Sequence, residues 1–156
     1  MDPGYTEYNP QANVNDSSCA TPIILGCIDS TASNYDASAT QDDGSCCYGD
    51  IVTIVLDDSY GDGWNANSLT VNGVDYSVPD VNGDFTTTNV WTVWMTGSVS
   101  FDICVDLNSC IDVTYNPTGA YQGENSWSIV DASGNILNSG VGLITGSSSS
   151  IGTCYG

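Results

Sequence analysis

VSFDICV, residues 99–105, decides the fold: Val99, Phe101, Ile103 and Val105 alternate with Ser100, Asp102 and Cys104. A two-residue apolar period belongs to a strand with one face in a core and one in water. The same reading extends outward in both directions. Residues 51–56, 90–95, 111–115 and 127–130 are short β-branched and aromatic runs. Residues 69–78 form a hairpin whose turn is Asn72 and Gly73, a pair that tolerates the positive φ angles of a type I′ turn. Ala132, Ser133, Gly134 and Asn135 supply the turn between 127–130 and 136–137. The serine run 147–150 fits either a solvent loop or an edge strand. No segment sustains a helical period, and seven to nine short strands separated by turns imply an antiparallel β-sandwich or jelly roll. Trp91, Trp94 and Trp127 are expected in its core.

Charge narrows the function. The 156 residues include 19 acidic side chains and no lysine, arginine or histidine, for a formal charge of −19. A buried carboxylate must therefore turn to backbone N–H groups, a shared proton or a cation from solution. The available oxygen ligands suit a hard ion such as calcium better than zinc or copper. The alternative reading of the acidic surface is solubility. A chain without guanidinium or ammonium groups is not expected to bind nucleic acid or an anionic lipid surface. No apolar run approaches the ~20 residues of a membrane-spanning helix, so membrane insertion is not expected.

Seven cysteines point to an oxidising compartment, and hence to an extracellular or cell-surface location. The first 46 residues carry an internal repeat at an offset of 27: Asp2, Tyr8, Ala12, Asp16, Ser18 and Cys19 recur as Asp29, Tyr35, Ala39, Asp43, Ser45 and Cys46. The second copy opens with Gly26 and Cys27, so the first is expected to have begun with a cysteine just before Met1, the partner of Cys19. Gly156 likewise matches the glycine before Cys27, which suggests one period of a longer chain. The expected organisation is a truncated first repeat and linker (1–25), a second disulfide repeat (26–46) and a β-sandwich domain (47–156). The expected bridges are Cys27 with Cys46, Cys104 with Cys110, and Cys47 with Cys154.

Two resemblances sharpen this reading. GCIDSTASNYDASATQDDGSC, residues 26–46, closely resembles the short GCxDxxAxNYxxxAxxDDGSC disulfide repeat found in tandem in secreted bacterial surface proteins. Such repeats look like spacer and adhesive elements. DDSYGDGWNAN near the start of residues 47–156, and ENSWSIVDASGNIL near their end, resemble a CUB-like β-sandwich domain of secreted bacterial proteins. That resemblance implies an acidic calcium cluster at one end of the sandwich, built from Asp58, Asp62 and Glu124.

A physical case stands beside it. Asp58 and Asp62 lie four apart with Gly61 and Gly63 between and after them, so the chain can fold back and aim both carboxylates at one point. Asn65 and Asn67 offer further oxygens, and Asp57, Asp58 and Asp62 crowd together without a basic residue to relieve them. The competing reading is a glycine-rich connection with solvated acids. Asp42 and Asp43, beside Gly44, either surround an ion or cap a turn. Asn15 opens an N-glycosylation sequon, and Ser30 follows an aspartate as in bacterial O-glycosylation sites.

Without histidine, lysine or arginine there is no base-activated serine, no Schiff base and no phosphate clamp, so an enzyme is not expected. The favoured reading is an extracellular structural or adhesive protein: a subunit or repeat of a calcium-stabilised stalk or filament that self-associates. The alternative is a glycan-binding or accessory domain of a secreted hydrolase, with Trp64 or Tyr60 as a stacking platform.

Overall fold

Asp50–Asp58 (β3) is the longest strand among the described residues and shows why the chain folds as it does. Its burial alternates strictly, with Val52, Ile54, Leu56 and Asp58 facing inward. Three β-branched or leucine side chains on one face contribute ~1.5–3 kcal/mol each when fully buried, and a sheet is the structure that puts them there together. The computed structural model describes residues 3–11, 20–79 and 97–155. The chain divides into two compact units, Met1–Gly49 and Asp50–Gly156.

In the first unit, Leu25–Gly26 (β1) and Gln41–Asp42 (β2) pair in parallel, and Cys27 is bonded to Cys46 with their Cα atoms 4.9 Å apart. Asn34 is its organiser: Nδ2 donates to the Ser45 carbonyl at 2.7 Å, and Oδ1 accepts from the Cys47 amide at 2.7 Å. One carboxamide thus holds the second cysteine's flank against the loop that carries the first. Ala39 packs against Gly26, its Cβ standing 3.2 Å from where a Cβ would be. Cys19 and Asn15 lie outside the described residues.

In the second unit, β3 sits within a four-stranded antiparallel sheet with Ser98–Val105 (β6), Asn125–Asp131 (β8) and Ile136–Val141 (β9), in the order β6-β3-β8-β9. Ser68–Val71 (β4), Val74–Tyr76 (β5), Cys110–Asn116 (β7) and Ser147–Gly152 (β10) form the other, in the order β10-β7-β4-β5. The inward side chains of both sheets make one core, including Val52, Ile54, Leu69, Val113, Tyr115 and Ile129. The unit is an antiparallel β-sandwich. Among the described residues the helical content is one 3-10 turn, Gln122–Glu124, and no helix is long and apolar enough to cross a membrane.

Asn72 and Gly73 both take positive φ, 51° and 78°, between β4 and β5, as a type I′ turn requires. The serine run is a strand, β10, which among the described residues pairs with β7 at the end of its sheet. The segment 90–95, with Trp91 and Trp94, lies outside the described residues, whereas Trp127 is in the core.

The disulfide pattern corrects two expectations. Cys110 is bonded to Cys154, not to Cys104, with Cα atoms 4.5 Å apart; Cys154 therefore does not pair with Cys47. Nearness in sequence misled, because β6 and β7 belong to opposite sheets and the chain arches from one to the other between them. Gly152 is the register partner of Cys110, which delivers the chain end to that cysteine. Cys47 and Cys104 each take part in a disulfide as well.

Candidate metal site

Asp58 ends β3 on the inward face, directly after Val52, Ile54 and Leu56. Instead of an apolar side chain, the core meets a carboxylate there. The following loop folds around it. Tyr60 N–H donates to Oδ1 at 3.1 Å, while the Gly61 and Gly63 N–H groups donate to Oδ2 at 2.9 and 2.7 Å. Gly61 and Gly63 take φ of 90° and 102° to aim those amides inward, a region that side chains disfavour. Three N–H groups thus fix the Asp58 side chain in place.

The loop then returns to the core through Trp64. This residue is fully buried, donates Nε1–H to the Asp57 carbonyl at 3.0 Å, and packs edge-on against Tyr115 at 5.8 Å. Trp64 is therefore a core plug, and the expectation of a stacking platform fails for it: the glycine turn that wraps Asp58 drives the indole inward. Tyr60, in the same loop, stays exposed.

A second loop closes over the first. Asn67 is buried and fully engaged: Nδ2 donates to the Trp64 and Ala120 carbonyls, and Oδ1 accepts from Gly119 N–H at 3.0 Å. Its oxygen thus serves a loop-to-loop clamp and is not available as a ligand. A Cβ on Gly119 would stand 1.7 Å from the Asn65 carbonyl oxygen, so only glycine permits this approach. The stitched loops present the 3-10 turn and Glu124, whose carbonyl accepts from Ser59 N–H at 2.9 Å.

The result is a cluster of three acids. Asp58, Asp62 and Glu124 each offer a carboxylate oxygen, and these lie within 4.8 Å of one another. Asp62 Oδ1 accepts from Asn65 Nδ2 at 3.0 Å, so Asn65 presents its amide nitrogen to this carboxylate. Glu124 is the deficient member: Oε2 is buried and accepts no hydrogen bond from the protein. Burial first, then the charges of Asp62 and Asp58, push the Glu124 carboxyl above the ordinary glutamate value. Asp57 is not part of the crowd, since strand alternation turns it to the other face of β3.

No family model, curated protein or solved structure matches the chain. The site therefore rests on its own chemistry. Three carboxylates without a cationic partner form an all-oxygen donor set of the kind that suits calcium, and the orphaned Glu124 oxygen fits such an ion. Magnesium is a poorer fit, because it demands near-octahedral order and retains its water.

The other candidate residues are placed elsewhere. Asp42 and Asp43 are exposed turn acids: Asp42 Oδ1 accepts from Gly44 N–H at 3.0 Å, and Asp43 Oδ1 from Ser45 N–H at 2.9 Å. They fall outside the three-acid cluster. Ser30 is exposed in a turn held by Asp29, whose Oδ1 accepts from Thr31 N–H at 2.9 Å. One residue escaped the sequence reading altogether. Asn125 is buried beside Glu124, and its Oδ1 also accepts no hydrogen bond. Its signal was the parity of Asn125, Trp127 and Ile129 along β8, two residues before the strand was expected to start.

Proposed function

We propose that this is an extracellular structural or adhesive protein whose sandwich is locked at one end by calcium held between Asp58, Asp62 and Glu124. One observation carries the metal reading: the buried, unpartnered Oε2 of Glu124 faces two further carboxylates in a chain with no basic side chain. An ion there joins the loop after β3 to the turn before β8. It would thereby fix the two connections that cap one end of the sandwich.

The disulfides support an oxidising and hence extracellular setting. The resemblance of residues 26–46 to tandem surface repeats, and of 47–156 to CUB-like domains, supports a cell-surface stalk or filament. Exposed Ile136 and Val141 on β9, the last strand of its sheet among the described residues, with Ile144 just beyond, favour self-association over a lone monomer. The glycan-binding alternative loses its Trp64 platform and rests on Tyr60 alone. With no imidazole, amine or guanidinium, we infer a non-catalytic role.

Thermal melting tests the metal. The transition should rise in millimolar calcium and fall in EDTA, and Asp62→Ala should erase the difference; an identical melt in both conditions refutes the site. Electron microscopy of untreated protein tests assembly, with repeating subunits along one axis as the expected image.

A further inference from the structure

Among the described residues, two buried side-chain oxygens accept no hydrogen bond, and they belong to consecutive residues: Glu124 Oε2 and Asn125 Oδ1. The second has no task in the three-acid cluster. Asn125 is 2 % exposed, its carbonyl accepts from Gly142 N–H at 2.8 Å, and its N–H donates to the Gln122 carbonyl. Its Nδ2 donates to the Tyr115 hydroxyl at 2.8 Å. That bond orients the carboxamide and leaves Oδ1 as its one uncommitted atom.

The sheet places Asn125 opposite Asp58. Asn125 on β8 is the register partner of Asp58 on β3, and both occupy inward positions. Directly opposed residues in antiparallel strands hold their Cβ atoms ~4.5–5.5 Å apart. The two side chains therefore start close together at the end of the core. A buried acceptor oxygen left there without a donor calls for something positive beside it.

Resting on the calcium reading above, we propose that Asn125 Oδ1 is a further ligand for the cation held by Asp58, Asp62 and Glu124. Calcium takes ~6–8 oxygens. A neutral carboxamide adds one without adding a fourth negative charge where the chain has no counter-charge. It also connects the ion to the core, because Tyr115, which holds the amide, stacks on Trp127 at 5.2 Å.

Calcium titration by calorimetry on the full chain separates the possibilities. Asn125→Ala should weaken binding at least about ten-fold, as loss of a residue that supports a metal site does. Tyr115→Phe, which frees the amide but keeps the ligand oxygen, should weaken binding measurably but less than Asn125→Ala. Asn125→Asp keeps the shape and covers the case in which the alanine variant fails to fold. It should melt lower than the native chain in EDTA and at least as high in saturating calcium. Native binding with unchanged affinity in Asn125→Ala overturns this proposal and leaves the three-acid site standing. An Asn125→Asp chain destabilised equally in both conditions also overturns it, since the amide would then be a donor to Asp58. A native chain that binds no calcium overturns both readings.

Discussion

Glu124→Gln should make the protein more stable in EDTA and less stable in calcium, a crossing that a generic packing defect cannot produce. Glutamine keeps the shape of the side chain and removes one charge. Two unit charges 4.8 Å apart repel by about 3.5 kcal/mol at an effective dielectric of ~20. Glu124 and Asp62 are only partly buried, so solvent screening reduces this to a net gain of about 1 kcal/mol in EDTA. For a unit of this size that raises the melting temperature by roughly 4 °C. Calcium at one hundred times its dissociation constant stabilises the native chain by about 2.7 kcal/mol, and the variant forfeits most of this.

Acidity gives an independent check. The folded Glu124 carboxyl titrates above its ordinary value of 4.5, so the folded state holds this proton more tightly than the unfolded state. In EDTA its stabilising effect is therefore complete below the ordinary value and is lost as pH rises through the raised one. Asp29, Asp36, Asp43, Asp106 and Asp131 are shifted downward by hydrogen bonds. Their stabilisation is present above the ordinary aspartate value and is lost as pH falls, and it cancels when native and variant chains are compared. All four tryptophans lie in residues 50–156, so their fluorescence follows the sandwich alone. A Glu124→Gln chain less stable than native in EDTA, and equally responsive to calcium, would refute the reasoning.

Two further predictions concern the core and its staples. Replacing Cys110 and Cys154 together by serine should lower stability by roughly 4 kcal/mol for a 44-residue separation, read as a lower urea midpoint. Trp64→Ala should cost about 3–5 kcal/mol as a buried aromatic deletion. The same urea titration measures it, and a loss of glycan binding without loss of stability would show that the indole is not a core plug.

The sandwich was legible because its strands are regular. Val99 to Val105 alternates without a break, and the Asn72-Gly73 pair allows few conformations other than the one it adopts. Asp58 was legible for the same reason. It continues the parity of Ile54 and Leu56, which makes it an inward carboxylate and hence a residue in need of partners. Asp57 shares the neighbourhood in sequence but faces away, and Asp58 already accepts hydrogen bonds from three amides, which proximity in sequence did not reveal.

Composition, period and turn chemistry act over a few neighbouring residues, so the chain by itself determined its β class, its strands and the absence of any internal counter-charge for its acids. Tertiary structure decided what depends on which strands become neighbours. It placed β6 and β7 in opposite sheets, joined Cys110 to Cys154, drew Trp64 inside, and set Glu124 and Asn125 against Asp58 across more than sixty residues. The reason is geometric: a side chain's parity is local, but its opposite number is chosen by the packing of two sheets.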